Sequence, residues 1–316
     1  MLTMRDTFIE DIYRRMHIDE NIFFVTADFG SPMLDYIRKA FPNNFINVGI
    51  AEQNLINVST GLSLEGYTVY AYAIAPFMTM RAYEQIRINL SLQSQLREIN
   101  VNLIGVGAGL SYDVSGPTHH CLEDISIIGT LPNIILFSPS DCALVQKFVD
   151  YSINVKKPKY IRLDGKSLPS IYNNLGDIKL ENGFTEIKKG EDVCLISTGY
   201  MTHKAISVAN ILKNIDIDVG IVDVYILKPL NGDLLYEVIN RYKYIITIEE
   251  AFINKNGLDN LISIILENKN SDIIIKRLGF KDSYTFTIGS RDHLHRLNNL
   301  SEEYIVESIK KISKEI

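Results

Sequence analysis

Short apolar, β-branched runs alternate with helix-periodic segments along the whole chain, and few folds accommodate that pattern. In the first half the strand candidates are "NIFFVTADF", "NFINVG", "YTVYAYAI", "NVNLIGVG", "NIILFSP" and "KYIRLD". Helical periodicity fills the intervals near 3–16, 32–40, 50–64, 77–92, 121–129 and 141–153. Strands that are apolar on both faces and separated by helices predict a parallel sheet covered on both sides. The stretch 165–190 is rich in Gly, Asn, Pro and Lys and reads as a linker with one short strand. A second alternation follows: "DVCLISTG", a helix from about 201, "DVGIVDVYIL", a short helix, "YIITIEE", another helix, "DIIIKRLGF" and a last helix from Ser301. At 316 residues the chain is long enough for two cores. The expected fold class is α/β with two doubly wound domains, residues 1–166 and a smaller unit at 191–316, joined by a linker at 167–190.

Open parallel sheets bind ligands beyond the carboxyl ends of their strands. Asp28 and Ser31 follow the first strand, and Glu52 follows the second within "GIAEQN". Phe77 and Arg81 follow the third, His119 and His120 lie in the long loop after the fourth, and the last strand carries Arg162. Five segments thus bring polar or aromatic groups to one edge, which predicts a site there. Each residue also has an ordinary structural use. The helix dipole favours a first-turn acid such as Glu52, Asp28 can cap the next helix, Phe77 can be a core aromatic, and Arg81 can be a solvated helix-surface residue.

Several function classes are excluded. The net charge is −6 and no dense block of Lys and Arg exists to neutralise a phosphate backbone, so nucleic acid is not an expected partner. No apolar run reaches the roughly 18 to 20 residues of a membrane span. The segment "MLTMRDTFIEDIYRRM" mixes acids and arginines at helical spacing, unlike a signal peptide. Three widely separated cysteines, Cys121, Cys142 and Cys194, suit reduced thiols and a cytoplasmic location. No Walker loop, G-x-G-x-x-G, H-E-x-x-H, C-x-x-C or nucleophile elbow occurs. His293 and His295, within "SRDHLHRL", read as a surface basic turn, and His17 and His203 have no companions.

The segments "GIAEQNLINVSTGLSLEG", "APFMTMRAYEQIR", "SGPTHHCLEDISIIGTLPNIILFSPSD" and "YIRLDG" resemble, in order and spacing, the pyrimidine-binding domain of transketolase. The second half is similar to that family's C-terminal domain at "STGYMTHKAISVANIL", "DVYILKPLN" and "TIEEA". Full-length transketolases add an N-terminal domain whose G-D-G and following Asn hold Mg²⁺ and the diphosphate of thiamine diphosphate. No G-D-G occurs here. The resemblance therefore implies the C-terminal subunit of a split transketolase, a transferase that moves a two-carbon ketol unit between sugars or sugar phosphates. It also implies an N-terminal diphosphate-binding partner subunit that holds most of the Mg²⁺ contacts, a homodimer of this chain, and a heterotetramer with the partner.

By the same resemblance Glu52 is the acid that hydrogen-bonds the cofactor's aminopyrimidine, Phe77 stacks on that ring, Arg81 matches a pocket position and Asp28 an acid near the thiazolium. His119, the histidine of "GPTH", lies near substrate oxygens, where it can shuttle protons; His120 and Cys121 match no family role. Arg5 matches a phosphate-binding arginine, Ser31 a nearby serine, and Arg162 belongs with the substrate residues. Departures from the family concern the substrate. Ser115 stands where the family has an Asp that reads a donor hydroxyl. A phosphate-binding His or Arg falls at Gly107 or Ala108, and "LDGK" replaces a second arginine after "YIR". Fewer cations weaken sugar-phosphate binding, which points to an unusual ketose or a specialised sugar intermediate. The beta chain of a 2-oxoacid dehydrogenase decarboxylase, a deoxyxylulose-phosphate-synthase-like enzyme and a non-catalytic scaffold subunit are the alternatives.

Overall fold

The computed structural model describes residues 3–313; positions 1–2 and 314–316 of the expected domains lie outside them. The first sheet contains β1 (Ile22–Thr26), β2 (Phe45–Asn47), β3 (Thr68–Ile74), β4 (Val101–Val106), β5 (Ile135–Phe137) and β6 (Lys159–Leu163). Its order is β5-β6-β4-β3-β1-β2, all parallel. β4 and β6 are buried at every position, so their sequences do not alternate apolar with polar residues, and the polar Asn102, Lys159 and Arg162 they contain are buried as well.

Helices cover both faces. On one side α1 (Met4–Met16) and α6 (Cys142–Asn154) pack Phe8, Ile12, Leu144 and Phe148 against the sheet. On the other, α3 (Glu52–Leu64) contributes Leu55 and Ile56, joined by Met78, Ile86 and Leu90 from the segment that follows β3. α2 (Pro32–Ala40) and α5 (Asp124–Gly129) complete the layers. The expected helix 77–92 is not uniform. Wide π turns at Phe77–Arg81 and Ile86–Leu92 flank the short α4 (Tyr83–Gln85).

The second sheet has the order β12-β11-β8-β9-β7. Its strands are β7 (Phe184–Lys188), β8 (Val193–Ser197), β9 (Val219–Val224), β11 (Tyr244–Phe252) and β12 (Ile274–Phe280). β7, from the Gly- and Lys-rich connection, pairs antiparallel with β9, so that part of the connection belongs to the second sheet. α7 (Tyr200–Lys213), α8 (Gly232–Ile239), α9 (Leu258–Asn268), α10 (Arg291–Leu297) and α11 (Glu302–Ser313) surround it.

Two expectations are corrected here. "DVGIVDVYIL" is not one strand. It breaks at Tyr225, whose N–H and that of Ile226 donate to Gly183 O, and β10 (Ile226–Lys228) crosses to pair antiparallel with β5 of the first sheet. The two sheets therefore share a chain crossing and one continuous apolar core, in which Leu136 and Ile125 meet Leu227 and Leu258. "SRDHLHRL" is not a surface turn. It is α10, capped by Ser290 Oγ, and the i, i+4 spacing of Arg291 and His295 turns both into the interior.

Candidate active site

Glu52 opens α3 immediately beyond the end of β2, and its side chain is only 4% exposed. Burying a carboxylate requires a partner, and Arg81 supplies it: Nη1 donates to Glu52 Oε2 at 2.6 Å while the arginine remains 49% exposed. The π turn Phe77–Arg81 places Phe77 and Arg81 on one side, with the guanidinium carbon 4.9 Å from the Phe77 ring centroid. That is cation–π range. His119 meets Phe77 edge-on, with ring centroids 5.2 Å apart. Glu52, Arg81, Phe77 and His119, drawn from three strand ends, thus form one continuous group.

His119 belongs to the loop that leaves β4. The loop closes at a bridge between Gly109 and Cys121, and its tip turns at Gly116 (φ +79°) before Thr118 Oγ1, which lies 3.1 Å from His119 Nδ1. Ser115 is exposed in the same loop. His120 points inward, with Nε2 3.2 Å from Asp113 O. Cys121 is fully buried, and burial pushes its thiol well up, which makes it a poor nucleophile.

A second cluster joins Arg5 to Ser31 through a residue that motif matching overlooks. Arg5 forks onto Asp6 (Nε–Oδ1 2.9 Å, Nη2–Oδ2 3.2 Å), and Ser31 Oγ donates to Asp6 Oδ1 at 2.9 Å. Burial alone would raise the Asp6 pKa, but hydrogen bonds from Arg5, Thr3 and Ser31 lower it. Asp6 is therefore a negative charge set between the two expected phosphate ligands. The phenols of Tyr72 and Tyr112 neighbour the same arginine. Tyr112 also explains why no cation stands earlier in the loop: a Cβ on Gly107 (φ +102°) would lie 2.3 Å from the Tyr112 ring.

Asp28 is held by Asn47, which donates Nδ2 to Asp28 Oδ1 at 2.9 Å and accepts the Asp28 N–H at 3.1 Å. It does not cap α2. Ser31 does, accepting from Met33 N. Asp28, Ser31 and Asn47 line a cleft of about 170 Å³ at the β1 and β2 ends.

Arg162 is a correction. It is 4% exposed, Nε donates to the fully buried Asp124 at 2.8 Å, and Nη2 donates to the carbonyls of Cys121 and Glu250. Its cation is committed at the junction of the two domains rather than presented to a substrate. Beside it lies a network that sequence reasoning missed. Arg291 grips Glu250 with Nε and Nη2 (2.8 and 2.5 Å), reaches Asp164 with Nη1 (2.6 Å), and lies 3.5 Å over the Tyr200 ring. His295 Nε2 adds a 2.6 Å bond to Glu250, and its Nδ1 is 2.8 Å from Lys204 Nζ. Burial opposes charge on Glu250, but Arg291 and His295 hold its pKa well below the usual carboxylate range.

Known proteins match both halves of this architecture. Residues 1–170 match the transketolase pyrimidine-binding domain, and residues 184–305 match the transketolase C-terminal domain. The chain is 33% identical over 270 residues to one of the subunits of an apulose-4-phosphate transketolase from Actinobacillus succinogenes, covering 85% of each chain. It is 30% identical over 293 residues to a putative transketolase C-terminal section of Methanocaldococcus jannaschii, covering 92% of this chain and 90% of that one. A solved structure described as a split gene transketolase, inactive beta4 tetramer, superposes with a TM-score of 0.86 at 29% identity over 98% of both chains. Domain matches in the family's order, on a fold that carries an acid, an aromatic and a histidine together beyond the strand ends, establish that the chain belongs to the transketolase family.

Proposed function

We propose that this chain is the pyrimidine-binding subunit of a two-subunit, thiamine diphosphate-dependent transketolase. The observation that carries the reading is the single group formed by buried Glu52, Phe77 and His119. It suits an aminopyrimidine. A shielded carboxyl can hydrogen-bond a ring nitrogen, and an aromatic face can stack on the ring. Bound thiamine diphosphate would supply the electron sink for cleaving a ketose carbon–carbon bond and carrying the two-carbon unit.

The chain's own residues would then bind, orient and exchange protons. Glu52 would hydrogen-bond a ring nitrogen of the pyrimidine, and Phe77 would fix the plane of that ring. Arg81, paired with Glu52 here, is exposed enough to turn toward ligand without leaving the pocket. His119, with Thr118 fixing its Nδ1 side, moves a proton at the substrate oxygens. Arg5 and Ser31 receive the distal end of the sugar, and Asp28 lies beside the cofactor.

The diphosphate and its Mg²⁺ are assigned to a partner subunit. Two observations support this. The matched relatives are described as one subunit of a transketolase and as a C-terminal section, and they are covered over most of their length. The exposed apolar side chains Ile50, Met80, Val114 and Ile288 lie next to the site residues, as a seat for another polypeptide would require. We assign a homodimer to the chain alone, a heterotetramer to the assembled enzyme, and the cytoplasm as location. The donor is read as a phosphorylated sugar bound with fewer cations than usual, because Asp6 offsets Arg5 and Gly107 is closed by Tyr112. Apulose-4-phosphate, named for one relative, belongs first in a screen. Co-expression with a G-D-G-containing partner subunit, followed by a donor–acceptor screen read by mass spectrometry, tests the proposal. Failure to transfer a two-carbon unit from any ketose in the presence of thiamine diphosphate and Mg²⁺ would overturn it.

A further inference from the structure

The loop that carries His119 is held largely by the other domain. Leu110 N donates to Glu250 Oε2 at 3.1 Å, and Arg291 N donates to Asp113 Oδ2 at 2.7 Å. Both acceptor and donor come from the second domain, from β11 and from the first residue of α10. Gly109 (φ +56°) lets the loop approach so closely that a Cβ there would lie 2.1 Å from Glu250 Oε2. Asp113 is gripped from a third side by Lys166 Nζ, and its carbonyl meets His120 Nε2. Asp164, which accepts Ser111 Oγ at 3.0 Å on one oxygen, accepts Arg291 Nη1 on the other. Leu110, Asp113 and, through Asp164, Ser111 are therefore each tied to the Glu250–Arg291 pair, with Lys166 as a separate anchor on Asp113. Beyond Asp113 the five residues 114–118 lead to His119, whose N–H donates to Gly116 O.

We infer that the buried Glu250–Arg291 pair of the C-terminal domain is a positioning device for the reaction, holding the 110–120 loop so that His119 sits against Phe77. This rests on the reading of His119 as the proton-moving residue, but the geometry of the clamp does not. Glu250 and Arg291 touch neither cofactor nor substrate in this role. They act through Leu110, Asp113 and the loop. A bidentate ion pair suits the task, because it restrains two planes at once where a single contact would leave the loop free to rotate.

The test combines hydrogen exchange on the whole chain with kinetics of the assembled enzyme. Glu250→Gln and Arg291→Lys each weaken the fork. Asp113→Asn is the milder variant, since it leaves the buried pair intact and loosens the links of Asp113 to Arg291 N and Lys166 Nζ. Amide exchange in peptides covering 110–120 should accelerate about tenfold or more in each variant, as expected when a charge-assisted restraint on a local unit is lost. Peptides from α8 and β9 should exchange as in the parent. In the complex, kcat should fall about tenfold or more with a smaller change in KM. In a His119→Asn background the same substitutions should cost little further, because they act through that histidine. Unchanged loop exchange in Asp113→Asn would overturn the clamp even if the transketolase reading stands. Faster loop exchange with losses that multiply undiminished in the His119→Asn background would overturn its role in catalysis. Absence of transfer by the parent complex would instead strike at the proposed function, leaving the exchange result to judge the clamp.

Discussion

Replacing Arg162 with methionine separates a structural cation from a substrate ligand. The guanidinium is 4% exposed and Asp124, its partner, is fully buried. Without Arg162, Asp124 loses its charged partner and is left with neutral ones such as the Tyr160 hydroxyl, which donates to the same Oδ2 at 2.7 Å, and the carbonyls of Cys121 and Glu250 lose a donor. Breaking one side of a buried ion pair typically costs about 3–5 kcal/mol, because the remaining charge stays dehydrated. With about 2–4 °C lost per kcal/mol in a domain of this size, Arg162→Met should lower the midpoint of thermal unfolding by roughly 6–20 °C. The double variant Arg162→Met, Asp124→Leu should recover much of that loss, since both charges are gone. Differential scanning calorimetry on the isolated chain measures each term. In the assembled enzyme the donor KM should move little at temperatures where the variant is folded. A shift of under about 2 °C accompanied by a large rise in KM would refute the reasoning and return Arg162 to the substrate.

Glu52→Gln should fold normally yet slow exchange of the thiazolium proton for deuterium by about 100-fold or more in the complex, the scale of lost acid–base assistance; unchanged exchange would sink the assignment. Arg5→Ala should raise KM for a phosphorylated donor about tenfold, with a smaller effect on a free sugar, because a charge-assisted bond to phosphate is lost. Equal losses on both donors would mean that Arg5 serves α1 through Asp6. Titration calorimetry of the chain alone with thiamine diphosphate and Mg²⁺ should detect weak binding or none, and tight binding with turnover in the absence of any partner would overturn the two-subunit reading. Asp223, buried among Ser140, Thr202 and Tyr172, has its pKa pushed by burial up to about 6. Its native form keeps a proton that the unfolded chain releases near pH 4, so its contribution is complete below that pH and lost as pH rises through 6. Relative to the parent, Asp223→Asn should therefore gain on the order of 2–3 kcal/mol between pH 4 and pH 7; a pH-independent difference would contradict the buried, proton-retaining acid.

The parallel sheets are legible because most of their strands are buried on both faces and are dominated by apolar, β-branched residues. The helices between them show through as stripes such as Ala51, Leu55, Val58 and Leu62, of which Leu55, Val58 and Leu62 pack on the core. What periodicity cannot reveal is a change of sheet within one run. "DVGIVDVYIL" is continuous in hydrophobicity, and only the tertiary demand of Tyr225, whose hydroxyl meets Lys179 O and Phe184 O, breaks it into β9 and β10. The π turns around α4 are equally silent in sequence, since an extra residue per turn changes the phase of a helix without changing its composition.

Site residues divide by how local their cause is. Glu52, Phe77 and His119 follow strand ends, and the rule that ligands gather there needs only the order of elements. Asp6 hides because it is one position from a matched arginine and reads as an ordinary first-turn acid. Arg291 and His295 hide for the opposite reason. Their partners Glu250, Asp164 and Asp113 are distant in sequence, so no spacing predicts the contact. The i, i+4 interval after Ser290 is the one local signal, and it marks a helix with two basic groups on a single face. A basic face turned inward must find buried acids. The "EE" of "TIEEA" then becomes informative, since a strand buried along its length cannot carry two adjacent glutamates unless each has donors. Glu249 finds the N–H groups of Leu258 and Asp259 at the start of α9, and Glu250, on the opposite face, finds Arg291 and the amide of Leu110. Buried charge in one domain thereby reaches the loop of the other.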